Sequence, residues 1–318
     1  MSKPVRYSVI VPLFNEEAVI LDTYKRIKSA MESVKEAYEI VFINDGSRDR
    51  TSDMVNNICK YDKNVKFIEL SRNFGQQLAV TAGIDHCEGD AIVVIDADLQ
   101  DPPEVIPKMI RKWKEGYDVV YGKRIRREWE SLFKRCSTFT FYRLLKKMTD
   151  IDMPTDVGDF RLIDRQVCDL LKTMKEKNRY FRGLVSWLGF KTTSVEYARD
   201  ARFAGKTHYS SWKLIKLGLD AIISFSFKPL KLAYYLGCLI IAYNLICLVF
   251  LKSNHSEQGI FLTVNFMMSG LSMVLMGILG EYTGRIYDEV KRRPLYAVKS
   301  TANIGNAGKE VENASQNI

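Results

Sequence analysis

The chain has 318 residues, enough for one sizeable α/β domain and a smaller second part. With 47% hydrophobic and 27% charged residues it has the composition of a folded protein, which argues against disorder except in the polar tail after Lys299. Six scattered cysteines without a CxxC pair argue against a zinc site or a disulfide framework, whereas the net charge of +9 fits nucleic acid, an anionic membrane surface or a phosphorylated substrate equally well.

The first 125 residues alternate short β-branched runs with longer amphipathic stretches. The runs predict five strands, at Tyr7–Val11, Glu39–Ile43, Val65–Leu70, Ala91–Ile95 and Asp118–Tyr121. The stretches between them predict helices over about 16–37, 50–60, 76–87 and 103–115. Apolar strands that alternate with helices predict a Rossmann-like, mostly parallel sheet covered on both faces.

The middle of the chain, about 126–210, is less regular. Its sequence predicts a basic helical stretch at 131–149, a loop at 157–161 that reads VGDFR, a helix at 165–176 and a segment at 204–212 that reads AGKTHYSSW.

The last third contains two long runs without a charge, Ala233–Leu251 and Gly259–Gly280. As helices they would reach about 28 and 33 Å, enough to cross a hydrocarbon core of about 30 Å. They predict a transmembrane hairpin, with a pair of buried core helices as the alternative. Lys and Arg flank both ends of the hairpin, which predicts an integral membrane protein with a cytosolic N-terminal domain and both termini in the cytosol. The preceding segment, 212–232, is predicted to be an amphipathic helix in the membrane interface or, alternatively, a core-facing helix.

Acidic residues follow three of the predicted strands. Glu16 comes after the first strand, Asp45 after the second, and Asp96 and Asp98 after the fourth. Ligands of such sheets bind beyond the carboxyl ends of the strands, so we expect these acids to converge. Converging carboxylates need a compensating cation, and hard oxygen ligands suit Mg²⁺ or Mn²⁺ together with a diphosphate. The sequence therefore predicts a metal–nucleotide site, without a GxGxxG fingerprint or a P-loop.

Several segments together carry a specific resemblance. They read VPLFNEE, FINDGS, SRNFG, DADLQDPPEVIP, VGDFRL and LGEYTGRIY. The sequence resembles family 2 glycosyltransferases of the GT-A fold, within the polyprenyl-phosphate group that contains bactoprenol glucosyltransferases and, more distantly, dolichol-phosphate mannose synthase. The resemblance implies division into a nucleotide-sugar-binding half (1–125), an acceptor-binding half (126–211), the interfacial helix (212–232), two spans (233–251 and 259–280) and a cytosolic tail (281–318).

The resemblance also implies roles for individual residues. Donor and nucleotide binding fall to Pro12, Phe14, Glu16, Ile43, Asp45, Asp96, Gln100, Arg202 and Lys206. The metal ion, Mg²⁺ or Mn²⁺, is expected on Asp96, Asp98 and Gln100. Asp159 corresponds to the acid treated as catalytic base, acting with Asp98 and Arg161, and the acceptor phosphate is expected on Arg124 and Arg135.

The implied reaction is a single inverting transfer of a sugar, with UDP-glucose favoured, onto undecaprenyl phosphate for cell-envelope glycan modification such as that of O-antigen. The QxxRW sequence of processive synthases is absent, which argues against polymer synthesis. The alternatives are another donor, namely GDP-mannose, UDP-N-acetylglucosamine or an amino sugar, and a non-catalytic membrane protein that binds nucleotide or lipid phosphate. The acceptor phosphate is already largely dianionic at neutral pH, so Asp159 is expected to orient a substrate as much as to remove a proton. A salt bridge from Asp159 to Arg161 or Arg124 is the structural alternative.

Partners are predicted from two further features. Nine Lys and Arg residues between Lys123 and Lys147 are interleaved with aromatic residues, a pattern typical of nucleic-acid or anionic lipid binding. Beside an apolar hairpin the lipid interpretation is favoured, so membrane and lipid phosphate are the expected partners and nucleic acid is not. Small residues at Gly270, Gly277, Gly280 and Gly284 predict a homo-oligomer.

Overall fold

The computed structural model describes residues 5–125, 157–198, 230, 235–240, 242 and 257–304. These residues fall into two compact units. One contains 5–125, 157–198 and 294–304, and the other contains 230, 235–240, 242 and 257–293. The domain boundaries expected from the sequence stay predictions.

The first unit is an alternation of strands and helices. Its N-terminal part contains β1 (Tyr7–Leu13), α1 (Ile20–Glu32), β2 (Tyr38–Asn44), α2 (Thr51–Tyr61), β3 (Val65–Leu70), α3 (Gln76–His86), β4 (Ala91–Val94), a 3-10 turn (Pro103–Val105), α4 (Ile106–Lys114) and β5 (Val119–Arg124). Its later part contains β6 (Val157–Asp164), α5 (Arg165–Thr173), α6 (Phe181–Trp187), β7 (Thr192–Tyr197) and β8 (Val298–Ala302). The five strands predicted in the first 125 residues are all present; β3 has the predicted bounds, and the ends of the others differ by at most three residues.

The strands form one eight-stranded sheet in the order β7-β5-β6-β4-β1-β2-β3-β8. Strand β1 lies parallel to β2 and β4, β2 to β3, and β5 to β7. Strand β6 runs antiparallel to both β4 and β5, and β8 runs antiparallel to β3. The predicted α/β sheet is therefore confirmed, and it is mixed.

Helices cover both faces of this sheet. Apolar side chains of α1, α2 and α4 share one buried cluster with alternate residues of β1, such as Tyr7 and Val9. On the other face α3 lies against β1 and β2, and α5 lies against α3 and β6. The polar ends of the strands are left at the edges of the sheet, where loops gather.

Two predictions made for the first unit are wrong. The VGDFR segment is not a loop but the start of β6, in which Phe160 and Leu162 are fully buried. Its charged residues Asp159 and Arg161 hid the strand, because a charge on a buried strand breaks the apolar pattern. The tail after Lys299 is not disordered at its start, since β8 continues to Ala302 and pairs with the edge strand β3.

The second unit contains α7 (Glu257–Val290), which includes the apolar run predicted as the second span. The helix continues past that run into charged turns, where Arg285 Nε lies 3.1 Å from Glu281 Oε1. In the described part of the chain no helix meets the length and apolarity that a membrane span requires. This finding contradicts the predicted transmembrane hairpin and the integral membrane location derived from it. Nearly all of the predicted interfacial helix at 212–232, and most of the first span at 233–251, lie outside the described residues. The homo-oligomer stays a prediction.

Candidate active site

Four strands of the sheet have one end each on the same side: the carboxyl ends of β1, β2 and β4 and the amino end of β6. Strands β1, β2 and β4 are parallel, so the residues after them emerge at the same edge. Strand β6 is antiparallel to β4, and Val94 pairs with Arg161. Extending that register by two residues brings Asp96 opposite Asp159. The acid after β4 and the acid at the start of β6 therefore approach each other because of topology.

Asp45 is fixed by the main chain of a neighbouring loop. Its carboxylate oxygens accept hydrogen bonds from the backbone N–H groups of Phe74, at 2.7 Å, and Gly75, at 2.8 Å. Burial raises the pKa of Asp45, although these two hydrogen bonds and the charge of Arg72 oppose the rise. The loop approaches so closely that a side chain at Gly46 would lie 2.5 Å from the carbonyl carbon of Arg72. Asp45 is thus a rigid carboxylate with lone pairs left over for a ligand.

The loops after β1 and β2 are linked by hydrogen bonds. Asn15 N–H donates to Ser47 Oγ at 2.9 Å, and Arg48 N–H donates to Asn15 Oδ1 at 2.9 Å. Glu16 N–H donates to Thr51 Oγ1 at 2.9 Å. In this hydrogen-bonded pair of loops the side chain of Phe14 is exposed and that of Glu16 is half-buried.

Two further residues predicted to line the nucleotide pocket differ in accessibility. Pro12 is partly exposed near the end of β1, and its register partner in β2 is Ile43. The Ile43 side chain is fully buried and faces α3 at Gly83. The Ile43 side chain therefore belongs to the core rather than to an open pocket.

Asp96 and Asp98 lie in a tight turn after β4. Gln76 Nε2 donates to Asp96 Oδ1 at 2.7 Å, and the N–H of Gln100 donates to Asp98 Oδ1 at 3.2 Å. Leu99, between Asp98 and Gln100, adopts a left-handed conformation with φ 57°. This conformation is uncommon for a residue with a branched side chain and indicates that the surrounding structure fixes the turn.

Asp96 is surrounded by other acids that raise its pKa. The pKa of Asp96 is raised to about 7, first by burial and then by the charges of Asp159, Asp101 and Asp98, while Arg182 opposes the rise. Such a cluster gains stability from either a proton or a cation.

Asp96 and Asp98 suit a metal ion whose remaining ligands come from a substrate. Among the described residues, no group of three His, Cys, Asp or Glu side chains forms a ready-made metal site. Asp96 and Asp98 are both partly exposed, and Mg²⁺ is commonly bound by one or two carboxylates together with substrate phosphates. The two carboxylates, with Gln100 beside them, are therefore a sufficient protein contribution to a metal–diphosphate site.

Asp159 is paired with two arginines. Arg182 Nε donates to Asp159 Oδ1 at 2.7 Å, and Arg161 Nη2 lies 3.6 Å from the same oxygen. Burial would raise the pKa of Asp159, but Arg182 and then Arg161 and Arg124 outweigh it and bring this pKa below its ordinary value. Arg161 has no exposed surface, so it supports the site from inside and does not face a substrate.

Arg124 at the end of β5 is held by two residues that the sequence analysis did not assign. Its Nη2 donates to Asp101 Oδ2 at 3.1 Å and its Nε donates to Tyr197 Oη at 3.3 Å. Tyr197 Oη in turn donates to Asp101 Oδ1 at 2.5 Å. The charge of Asp101 and the Tyr197 hydrogen bond raise the pKa of Arg124 against the effect of desolvation. The cation at this position is therefore permanent and oriented.

The structure adds four residues to those predicted from the sequence: Gln76, Asp101, Arg182 and Tyr197. Asp101 lies within the DADLQDPPE segment and could have been noticed there. The other three lie on elements distant in sequence, and no local pattern marks them. Arg135, Arg202 and Lys206 were predicted to take part and lie outside the described residues.

Comparisons with known proteins show the family to which the chain belongs. The family model described as "Glycosyl transferase family 2" matches residues 8–171, from β1 into α5. The chain is 52% identical to an uncharacterized glycosyltransferase, YkcC, of Bacillus subtilis, with 96% of this chain and 97% of that protein covered. It is 40% identical to a prophage bactoprenol glucosyl transferase homolog of Escherichia coli, with coverages of 93% and 99%. It is 39% identical to the bactoprenol glucosyl transferase of Shigella phage SfII, with coverages of 93% and 98%.

Proposed function

We propose that this chain, which belongs to glycosyltransferase family 2, transfers a single glucose from UDP-glucose to undecaprenyl phosphate with inversion at the anomeric carbon. The names of two relatives, both bactoprenol glucosyl transferases or homologs of them, support the choice of sugar and acceptor. The observation that carries the proposal is the set of carboxylates at one edge of the sheet: Asp45, the Asp96–Asp98 pair and Asp159.

On the donor side, Asp45 is the anchor for the nucleoside. Both of its oxygens are oriented by backbone N–H groups, so it presents fixed acceptor positions to a base or ribose. Pro12, Phe14 and Glu16 lie at the end of the neighbouring strand β1, where the N–H of Asp45 donates to the carbonyl of Leu13 at 2.8 Å. They would provide the rim of the nucleotide pocket. Discrimination among nucleotides would come from these fixed contacts, because a buried polar group that loses its partner costs binding energy.

Asp96, Asp98 and Gln100 would hold Mg²⁺ or Mn²⁺. Bound there, the ion supplies positive charge that offsets the charge developing on the departing diphosphate. The charges of Asp159, Asp101 and Asp98 near Asp96 support this assignment, because a bound cation would offset them. Arg202 and Lys206 would add to the same stabilisation.

On the acceptor side, Arg124 would bind the phosphate. Asp101 and Tyr197 hold its Nε and Nη2 atoms, and in the described part of the chain no hydrogen bond is formed by its Nη1 atom. An arginine whose guanidinium is already oriented loses less freedom when it binds a phosphate oxygen. Arg135 would add a second cation.

Asp159 would orient substrate rather than serve as a strong base. A carboxylate whose pKa lies below its ordinary value binds protons weakly, and the acceptor phosphate needs little deprotonation. The ion pairs with Arg182 and Arg161 are consistent with a fixed acceptor of hydrogen bonds. The salt bridges of Asp159, which the sequence analysis gave as the alternative to a catalytic role, are thus compatible with that role.

The test is a transfer assay with purified protein, undecaprenyl phosphate in detergent and a panel of radiolabelled UDP- and GDP-sugars. Labelled lipid from UDP-glucose, lost with EDTA and in Asp98→Asn, would support the proposal. Asp53→Asn, which removes an exposed acid on α2, is the matched control and should leave product formation unchanged. Labelled lipid from a different donor would reject glucose, and nucleotide binding without a lipid product from any donor would reject the transfer.

A further inference from the structure

The two arginines beside Asp159 act on only one of its carboxylate oxygens. Arg182 Nε donates to Oδ1 at 2.7 Å, and Arg161 Nη2 lies 3.6 Å from that same oxygen. No described residue forms a hydrogen bond to Oδ2. A carboxylate fixed through one oxygen has its second oxygen turned in a defined direction, free to accept from a ligand.

Arg161 does not fix this orientation by itself. Its Nε donates to the carbonyl of Asp159 at 3.2 Å and its Nη2 to the carbonyl of Gly158 at 3.0 Å. The Cζ atom of its guanidinium lies 5.4 Å from the ring centroid of Tyr121 and 5.2 Å from that of Phe181. These contacts commit Arg161 to the backbone of β6, and its 3.6 Å separation from Oδ1 is too long for a hydrogen bond. The short, directional contact comes from Arg182.

Arg182 is itself held in place through α3. It is the second residue of α6, and the N–H of the preceding residue, Phe181, donates to Gln77 Oε1 at 2.9 Å. The neighbouring Gln76 donates to Asp96 Oδ1 at 2.7 Å. Two consecutive glutamines at the start of α3 therefore make both contacts: Gln76 binds Asp96, and Gln77 binds the first residue of α6, the helix that carries Arg182. The positions of Asp96 and Asp159 are linked through this one turn.

We propose that Arg182 is a positioning residue for the transfer reaction: it fixes Asp159 through Oδ1, leaves Oδ2 to meet the substrate, and is itself held by Gln77. The inference deepens the proposed function and rests on it. Arg182 need not touch donor or acceptor in this role. Its effect should appear in turnover and not in nucleotide binding, since misplacing a reacting group by about 1 Å costs on the order of 100-fold in rate.

The experiment compares Arg182→Ala, Arg182→Lys and Gln77→Ala with the wild-type chain. Turnover, KM for each substrate, UDP affinity by calorimetry and Tm are measured for each. Arg182→Ala should lower kcat by about 10- to 100-fold, with UDP affinity changed by less than about threefold. Arg182→Lys, which keeps the charge, should recover part of the loss, and added guanidinium ion should partly restore Arg182→Ala. Gln77→Ala should lower kcat in the same direction and less.

Two further variants separate positioning from mere stability. Arg179→Gln removes hydrogen bonds to the carbonyls of Leu171 and Met174 in the same segment, without contact to Asp159. It should lower Tm while kcat of the folded protein stays near wild type and does not respond to guanidinium. In an Asp159→Asn background, Arg182→Ala should cause little further loss, because Arg182 acts through Asp159.

The outcomes are distinct. A wild-type kcat in Arg182→Ala, or a full additional loss in the Asp159→Asn background, would overturn the positioning role while the proposed function stands. An equal loss of UDP affinity and kcat would indicate a donor contact instead and would also overturn it. If the wild-type chain forms no lipid-linked sugar at all, the proposed function fails, and this inference fails with it.

Discussion

Replacing Gly158 by alanine should damage the acceptor side of the site and leave the nucleotide side intact. A Cβ atom at this position would lie 2.7 Å from Arg124 Nη2 and 3.0 Å from its Cζ. Ordinary contact begins at 3.4 Å, so the guanidinium must move by about 0.7 Å, the difference between 3.4 and 2.7 Å. That shift strains the 3.1 Å hydrogen bond from Arg124 to Asp101. Hydrogen bonds to charged groups contribute about 1.5–3 kcal/mol, so we expect kcat/KM for the acceptor to fall by about 10- to 100-fold.

The assay is steady-state transfer with saturating donor and varied undecaprenyl phosphate, together with UDP binding and Tm. A fall in Tm of a few degrees is expected as well, because the strained hydrogen bond to buried Asp101 also contributes to folding stability. Gly158→Ala in an Arg124→Ala background is the control and should add almost nothing, since the displaced group is already gone. An unchanged kcat/KM in Gly158→Ala, or a full additional loss in the double variant, would refute the reasoning.

Three other substitutions test separate parts of the molecule. Gly46→Ala should cost about 1–3 kcal/mol of unfolding free energy in urea titrations, because φ is +67° and the new Cβ would meet the backbone of Arg72; unchanged stability would contradict this. Burial alone would raise the pKa of Asp62, but its hydrogen bonds, first of all the one from Lys28, outweigh burial and lower this pKa. The ion pair therefore stabilises the folded state at pH values above about 3.9, the pKa of Asp in the unfolded chain, and this stabilisation is lost as the pH falls. The stability deficit of Asp62→Asn should accordingly be constant between about pH 8 and 5 and shrink below about pH 4, and a deficit independent of pH would contradict the ion pair. Asp98→Asn should raise the Mg²⁺ or Mn²⁺ concentration needed for half-maximal transfer, and an unchanged metal requirement would remove Asp98 from the metal site.

The first half of the fold was predictable because its strands are mostly apolar and alternate with amphipathic helices, although β2 and β3 each contain a buried charged residue, Glu39 and Lys66. Of the acids that follow these strands, Asp98 and Asp101 lie near Asp96. The convergence of Glu16 and Asp45 with them stays a prediction. Strand β6 was missed because Asp159 and Arg161 interrupt its apolar pattern, and β8 was missed because a polar edge strand gains its order from backbone pairing with β3. The direction of β6 also matters, since only an antiparallel β6 brings Asp159 opposite the end of β4.

The site was predictable only where a short segment carries several functional residues together. Asp96 and Asp98 follow one strand and were grouped by their spacing, and the resemblance to the family added Gln100. Gln76 contacts Asp96 and Arg182 contacts Asp159, each from an element separated from its partner in sequence, so these contacts depend on three-dimensional packing. The second predicted span failed for a different reason. Its charge-free run, Gly259–Gly280, is only part of α7, which continues to Val290 through charged residues.

The central claim is that Asp45, Asp98 and Asp159 belong to one active site with divided tasks. The most direct measurement is UDP binding by calorimetry in the presence of Mg²⁺ or Mn²⁺, run beside the lipid transfer assay, for the wild-type chain and the three Asp→Asn variants. Asp45→Asn and Asp98→Asn should weaken UDP binding and transfer together, whereas Asp159→Asn should bind UDP like the wild type and lose transfer. Full transfer by Asp159→Asn, or equal UDP affinity in all three variants, would contradict this division of the site.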